Sequence, residues 1–439
     1  MQSEQHGSCR ERHRPDLRIL ELDEGFWDEV APARFPKHLL RFRNDRAAAE
    51  IGLDALSPAE WEAAFARFEP LPENLSCPLA LRYHGHQFGV YNPHLGDGRG
   101  FLFAQLRDDR GRLVDLGTKG SGTTPWSRGG DGRLTLKGGV REVLATEMLE
   151  ALGVKTSRSF SLFETGESLM RGDEPSPTRS SVLVRLGHSH LRFGTFQRLA
   201  RLRDAERMTV LVDHVARAYY PDVAGAHEGE PRVVALFDRI VAACADLCAS
   251  WMVAGFCHGV LNTDNMNVTG ESFDYGPWRF VPTFDPDFVA AYFDHGGLYA
   301  FGRQPEVVRW NLERLADALA LVTPTVDVRA PLALYEQRYD DALTRRTLAR
   351  LGLAPRDPAT DEAIAQDAWR ALETSGRPFE AFFTGDPCTM LIDEVETIWS
   401  AIAERDDWGP FEAKIAEVRA YGARLQSRQS SEASPETAR

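Results

Sequence analysis

The chain has 439 residues, 43% hydrophobic and 26% charged, a balance expected of a soluble globular protein with two or three well-buried cores. Its net charge of -14 argues against nucleic acid or an anionic membrane as a main partner, because only short basic clusters oppose the repulsion of phosphate. No apolar run reaches membrane-spanning length and MQSEQHGSCRERHRPD lacks the apolar core of a secretion signal, so a cytoplasmic protein is expected; a monomer is a separate expectation. The six cysteines are scattered, with no C-x-x-C and no paired histidine spacing, which excludes a zinc site of the usual kind.

Residues 1–16 and 428–439 are polar without apolar periodicity, and disordered tails are expected there. Residues 17–75 read as an N-terminal helical extension. Within it the stretch 35–66 looks helical, with Ser57-Pro58 as cap and first-turn residue of its second helix. From Leu79 to Leu106 glycines, aromatics and β-formers take over, and FLFAQL follows the turn LGDGRG as a strand. GRLVDLGTKGSG alternates apolar and polar residues up to Lys119, which places this lysine at a strand end before a Gly-rich loop. Val140, Val143, Leu144, Met148 and Leu152 recur at helical spacing before Gly153, so 139–152 is a helix with Glu142 on its polar side. SSVLVRLG is extended. A long apolar helix at 233–254, with Cys244 and Cys248 one turn apart as core side chains, leads into GFCHGVLNTDN. The later WNLERLADALALV and DEAIAQDAWRALE read as amphipathic packing helices.

His258-Gly259-Val260-Leu261-Asn262-Thr263-Asp264-Asn265, followed by Asp274-Tyr275-Gly276, has the outline of a phosphotransferase catalytic loop and metal loop. In that outline the third position holds an Asp that accepts the proton of the attacking hydroxyl; here it is Val260. Asp264 is the carboxylate left in the loop and the natural substitute base. Asn265 and Asp274 offer hard oxygen ligands suited to Mg²⁺ or Mn²⁺ on nucleotide phosphates. Lys119 and Glu142, a strand-end lysine and a helix glutamate, match the pair that aims an ammonium at phosphates. Gly96, Gly98 and Arg99, with Asp131 and Gly132 in a second D-G-R string, form a basic Gly-rich pocket for polyphosphate. Arg185 and Arg192 add two guanidinium groups around the Gly187-His188 turn. Taken singly, each of these features is more often a tight turn or a solvated ion pair. Together they give an α+β, protein-kinase-like two-lobed order, a β-rich N-lobe at 76–200 and a helical C-lobe at 201–427.

These residues resemble the selenoprotein O family, kinase-like proteins described as protein adenylyltransferases. The resemblance covers about 35–320 and is carried by YHGHQFGVYNPHLGDGRG, TKGSGTTPWSRGGDGRLTLKGGVREVL, GFCHGVLNTDNMNVTGESFDYGP and YAFGRQPEVVRWNLERLA. It implies ATP bound in reverse, AMP transferred to a protein Ser, Thr or Tyr, and release of pyrophosphate. It also implies nucleotide-binding roles for Gly96, Gly98, Arg99, Lys119, Asp131, Gly132, Arg185 and Arg192, with Glu142 orienting Lys119. Asp264 would be the proton acceptor and Asn265 and Asp274 the metal ligands. Two departures stand out: the terminal SRQSSEASPETAR lacks the family's reactive cysteine or selenocysteine, and His84 stands where a small residue is expected and is read as loop decoration. A conventional phosphotransferase and a catalytically silent nucleotide-binding scaffold are the alternatives.

Overall fold

In the computed structural model, which describes residues 13–172 and 174–432, the apolar runs of the first half assemble into an antiparallel sheet. In chain order its segments are β1 (Trp27–Glu29), β2 (Leu39–Arg43), α1 (Asp45–Glu50), α2 (Pro58–Phe65) and β3 (Leu79–Leu81). A separate hairpin of β4 (Gly85–Gln87) and β5 (Val90–Asn92) comes next, then β6 (Leu102–Arg107), β7 (Leu113–Lys119) and β8 (Leu134–Thr135). Helix α3 (Leu136–Ala151) precedes the long strands β9 (Arg158–Leu169) and β10 (Thr178–Gly187). The sheet order is β1-β3-β6-β7-β10-β9-β2, with β8 paired to β10 off this path.

Both sheet faces are covered, so its strands are apolar nearly throughout. Val182, Val184 and Leu186 face α1 and α2, where Trp61 stacks on Phe160 at 5.0 Å and donates from Nε1 to Ser161 Oγ at 2.9 Å. Leu183 and Leu162 point the other way, into the larger core that also takes Val140, Val143 and Leu144 of α3. Ser57 caps α2 as expected, its side chain accepting from the Glu60 amide while the Glu60 carboxylate accepts from the Ser57 amide.

The second half is helical: α4 (Phe193–Leu202), α5 (Ala205–Tyr219), α6 (Pro221–Ala226) and the long α7 (Gly229–Val253). A two-stranded ribbon of β11 (Phe256–Cys257) and β12 (Arg279–Phe280) follows, then α8 (Gln304–Leu319), α9 (Tyr335–Leu351), α10 (Pro358–Ser375), α11 (Phe379–Phe383), α12 (Ile392–Arg405) and α13 (Gly409–Glu432). Helix α7 buries Phe237, Ile240, Cys244, Cys248 and Trp251 and so sits at the centre of this half. Helix α13 returns to α3, where Arg419 forks onto Glu147 with two bonds of 2.7 Å. Among the described residues no helix is long and apolar enough to cross a membrane.

Two local expectations need correction. The stretch 35–66 is not helical throughout: Leu39–Arg43 is the edge strand β2, with Leu40 opposite Phe163 and Phe42 opposite Leu162. The open edge of β9 supplies a ladder that outweighs local helical preference. The described parts of the expected tails, 13–16 and 428–432, are ordered elements of the fold. Residues 1–12 and 433–439 lie outside the described residues, but Pro15 bridges Leu106, Asp16 accepts from Arg107 Nε at 2.7 Å, and α13 runs to Glu432.

Candidate functional site

A cavity of about 770 Å³ opens between the sheet and the loop that follows α7. Gly96, Gly98, Arg99, Lys119, Asp131, Gly132, Arg185, Arg192, Asp264, Asn265 and Asp274 all line it, although they span 179 positions of the chain, from 96 to 274. Glu142 lies behind Lys119. The strand β7 ends at Lys119, whose side chain is 5% exposed as a residue and pairs with Glu142 Oε1 from α3. The same ammonium reaches Asp274 Oδ1 at 2.7 Å.

Asp274 gathers two more cations: Arg185 at 3.3 Å from β10 and Arg192 at 3.5 Å from the start of α4. Burial works to raise its pKa, yet Lys119, Arg185 and Arg192 together hold the carboxyl well below its usual range. Asp274 also has φ of 65°, a left-handed backbone that a non-glycine residue rarely adopts, so its position is set by its surroundings. Arg192 lies between two rings, 4.6 Å from the centroid of Tyr83 and 4.8 Å from that of Phe273. Its Nη2 faces Asp97 Oδ1 at 3.5 Å.

The loop after α7 is held from both sides. His258 is buried, which pushes its pKa down, and its ring donates from Nε2 to the Phe273 carbonyl at 3.2 Å, joining this loop to the one bearing Asp274. Asn265 Nδ2 donates to the Val260 carbonyl at 2.9 Å, which leaves its amide oxygen for the cavity. Val260 itself is an aliphatic part of the wall. Asp264 is 7% exposed, and its Oδ1 has no hydrogen-bond partner. Burial, aided by Asp274 and opposed by Arg192, raises its pKa to about 6. Gly85 makes room for this carboxylate: a Cβ there would lie 3.1 Å from Asp264 Oδ1.

The glycines have a packing reason besides access to the cavity. A Cβ on Gly96 would overlap the Trp126 ring, one on Gly98 would lie 2.8 Å from the Trp126 carbonyl oxygen, and Gly132 at φ 67° would overlap the backbone of Gly122. Ser127 Oγ donates to the Gly98 carbonyl at 2.5 Å and Thr124 Oγ1 to that of Asp97 at 2.6 Å, so the two Gly-rich loops are laced together. Asp131 is engaged by Arg171 at 2.8 and 3.1 Å; what it presents to the cavity is a fixed guanidinium.

Sequence reasoning missed Asp97, Tyr83, Phe273 and Arg171, which hold or supply the arginines. Asp97 sat in plain view between two glycines; the others carry no local pattern that marks them. His84 is not loop decoration. It is buried, its Nδ1 lies 2.7 Å from the Tyr91 hydroxyl, and burial lowers its pKa to about 4.

A polar cavity lined by six guanidinium groups and one ammonium, with a carboxylate held ionised and a second carboxylate with an open acceptor, suits a multiply charged anion and a proton transfer. Comparison with known proteins agrees with that chemistry. The family described as Protein adenylyltransferase SelO matches residues 11–386. Similar relatives include the Protein nucleotidyltransferase YdiU of Synechocystis sp., 45% identical over 91% of this chain and 96% of that protein. That of Gloeobacter violaceus is 45% identical over 91% and 93%, and that of Rhodococcus jostii 38% over 90% and 78%. The chain belongs to the SelO family of protein adenylyltransferases.

Proposed function

We propose that this protein transfers AMP from ATP to Ser, Thr or Tyr hydroxyls of other proteins, releasing pyrophosphate, in a protein-kinase-like two-lobed arrangement. Residues 76–200 would form the β-rich lobe and 201–427 the helical lobe, with the earlier strands β1 and β2 completing the sheet edges. The observation that carries the reading is the contrast within one loop: Val260 is aliphatic where a phosphoryl-transfer base belongs, while Asp264 brings a buried carboxylate with an unpartnered oxygen to the same cavity.

In this reading ATP lies reversed, its α-phosphorus toward Asp264 and its outer phosphates among Arg99, Arg185, Arg192 and Lys119, with Glu142 keeping the lysine aimed. Gly96, Gly98, Asp131 and Gly132 shape the loops that close over the nucleotide. The acceptor hydroxyl gives its proton to the Asp264 carboxylate as its oxygen bonds to the α-phosphorus. The bond from that phosphorus to the bridging oxygen breaks and pyrophosphate leaves with the electron pair. A carboxyl whose pKa is near 6 is ionised at neutral pH yet basic enough to take a proton. Asn265 and Asp274 fit a hard divalent cation, Mg²⁺ or Mn²⁺, since the Asn265 amide oxygen is turned away from its Val260 bond and Asp274 is held ionised. Held there, such an ion would neutralise charge on the phosphates. A cytoplasmic monomer is the working form in this reading.

Incubation with a cell extract and ATP labelled at the α- or γ-phosphorus tests it. Label from the α position alone, absent with Asp264→Ala and with Lys119→Ala, is expected. Label from the γ position would make the protein a phosphotransferase with an unusual base, and label from neither would leave a silent nucleotide-binding scaffold.

A further inference from the structure

Beside the cavity mouth lies a cluster of exposed aromatic and aliphatic side chains that the chemistry above does not use. Phe88 is 40% exposed and Val90 70%, both at the tip of the β4–β5 hairpin; Tyr292 at 73% and Phe293 at 42% lie on the segment between β12 and α8. The rings of Phe88, Tyr292 and Phe293 form one patch, and Val90 follows Phe88 on the same hairpin. Phe88 is 5.9 Å from Phe293 and 5.0 Å from Tyr299, and Tyr292 is 5.1 Å from Phe293, centroid to centroid. Large rings left in water are costly to keep together without a purpose.

Three observations tie the patch to the acceptor side of the site. First, the hairpin has a two-residue turn, Phe88-Gly89, with φ of 51° and 76°. Turns with both central residues in the left-handed region favour Asn-Gly, so a bulky aromatic at the first position is held there against its backbone preference. Second, the Phe88 amide donates to Asn262 Oδ1 at 3.1 Å, and the Tyr299 hydroxyl donates to the same oxygen at 2.6 Å. Asn262 stands two residues before Asp264, and Gln87, next to Phe88, lines the cavity. Third, the second half of the patch is fixed: Asp294 accepts from the Leu298 and Tyr299 amides at 2.9 and 2.7 Å, so Tyr292 and Phe293 precede a rigid turn.

We infer that Phe88, Val90, Tyr292 and Phe293 form a docking surface for the protein substrate, receiving an apolar side chain that flanks the hydroxyl to be modified. The inference rests on the adenylyltransferase reading, which requires a protein chain to approach Asp264. The patch is continuous with the loop carrying that residue, so a segment presenting a hydroxyl to Asp264 passes over it. Rigid aromatics bind such a segment with little loss of conformational freedom. The site therefore selects hydroxyls by their apolar neighbours, not by charge alone.

The test uses the full chain, the variant Phe88→Asn and the double variant Tyr292→Ser/Phe293→Ser. Asparagine tolerates the positive φ and keeps the turn. Proteins of a cell extract are modified with α-labelled ATP and the sites mapped. Peptides copied from those sites are then compared with versions whose flanking apolar residue is alanine. The wild type is expected to favour sites with an apolar neighbour and to lose about tenfold in kcat/KM on the alanine peptides. Both variants should treat the two peptides alike while ATP with Mg²⁺ still raises their Tm as in the wild type. Absence of apolar enrichment, with equal rates for the paired peptides on the wild type, would overturn the proposal without any variant. A wild-type dimer in sedimentation that the variants convert to monomer would overturn it in favour of a second copy on the patch. Failure of the wild type to label any protein would instead remove the adenylyltransferase reading, and the docking surface with it.

Discussion

Arg192 Nη1 donates to the main-chain carbonyl of Asp264 at 2.8 Å, and the same guanidinium faces Asp97 and Asp274. One side chain at the start of α4 thus links the Gly-rich loop, the loop of the proposed base and the loop of the proposed metal ligand. Its planar charge lies between Tyr83 and Phe273, a setting that an ammonium on a flexible stem does not reproduce.

Arg192→Lys should therefore cost far more activity than stability. AMP transfer is expected to fall about 10²-fold, the effect of a misplaced group. Unfolding in urea should shift by about 1–2 kcal/mol. Steady-state kinetics beside denaturation curves checks both, and full activity would refute the linking role.

Lys119 and Glu142 form a buried pair, so removing either partner leaves the other exposed to a desolvation penalty. Lys119→Met is expected to lose both ATP-dependent Tm elevation and about 3 kcal/mol of stability, because the Glu142 carboxylate, 1% exposed, is left without its cation. Glu142→Gln keeps the lysine and should retain ATP binding while transfer drops. Calorimetry with and without ATP distinguishes the two.

Asp264 makes the ligand-free protein sensitive to pH in a direction opposite to most carboxylates. Its pKa is raised from 3.8 to about 6, so the folded state holds the proton more tightly than the unfolded chain. The stabilising contribution of the protonated form is complete below about 4 and lost as pH rises through about 6. It is worth on the order of 3 kcal/mol. Asp264→Asn should remove this dependence and be more stable than the wild type at neutral pH, while inactive in transfer. Denaturation at pH 4 and pH 8 measures it; an identical pH dependence in the two proteins would refute the raised pKa.

Gly132→Ala should disturb the roof of the cavity. The position has φ of 67° and its Cβ would meet the Gly122 backbone. A loss of about 1–3 kcal/mol in stability is expected, with a rise in the ATP concentration needed to stabilise the fold. Thermal melts over an ATP series report both.

Much of this was legible in one dimension where chemistry is local. The helix over 139–152, the strand ending at Lys119 and the capped α2 follow from periodicity and capping residues in their own windows. The strand β2 did not, because Leu39–Arg43 is extended only when β9 offers its edge. His84 escaped for a similar reason, as did the partner of Asp131: a burial site beside Tyr91 and an ion pair with Arg171 are properties of folded neighbours.

What can be read along the chain is the loop composition, Val260 at the third position of the loop that opens on His258 with Asp264, Asn265 and Asp274 nearby, since those residues are close in sequence. That positions from Gly96 to Asp274 line one cavity, and that three cations converge on Asp274, emerges from the folded arrangement alone. So does the surface shared by Phe88, Tyr292 and Phe293. Electrostatic and packing forces act across space between segments far apart in sequence, and no local pattern encodes which of them will meet.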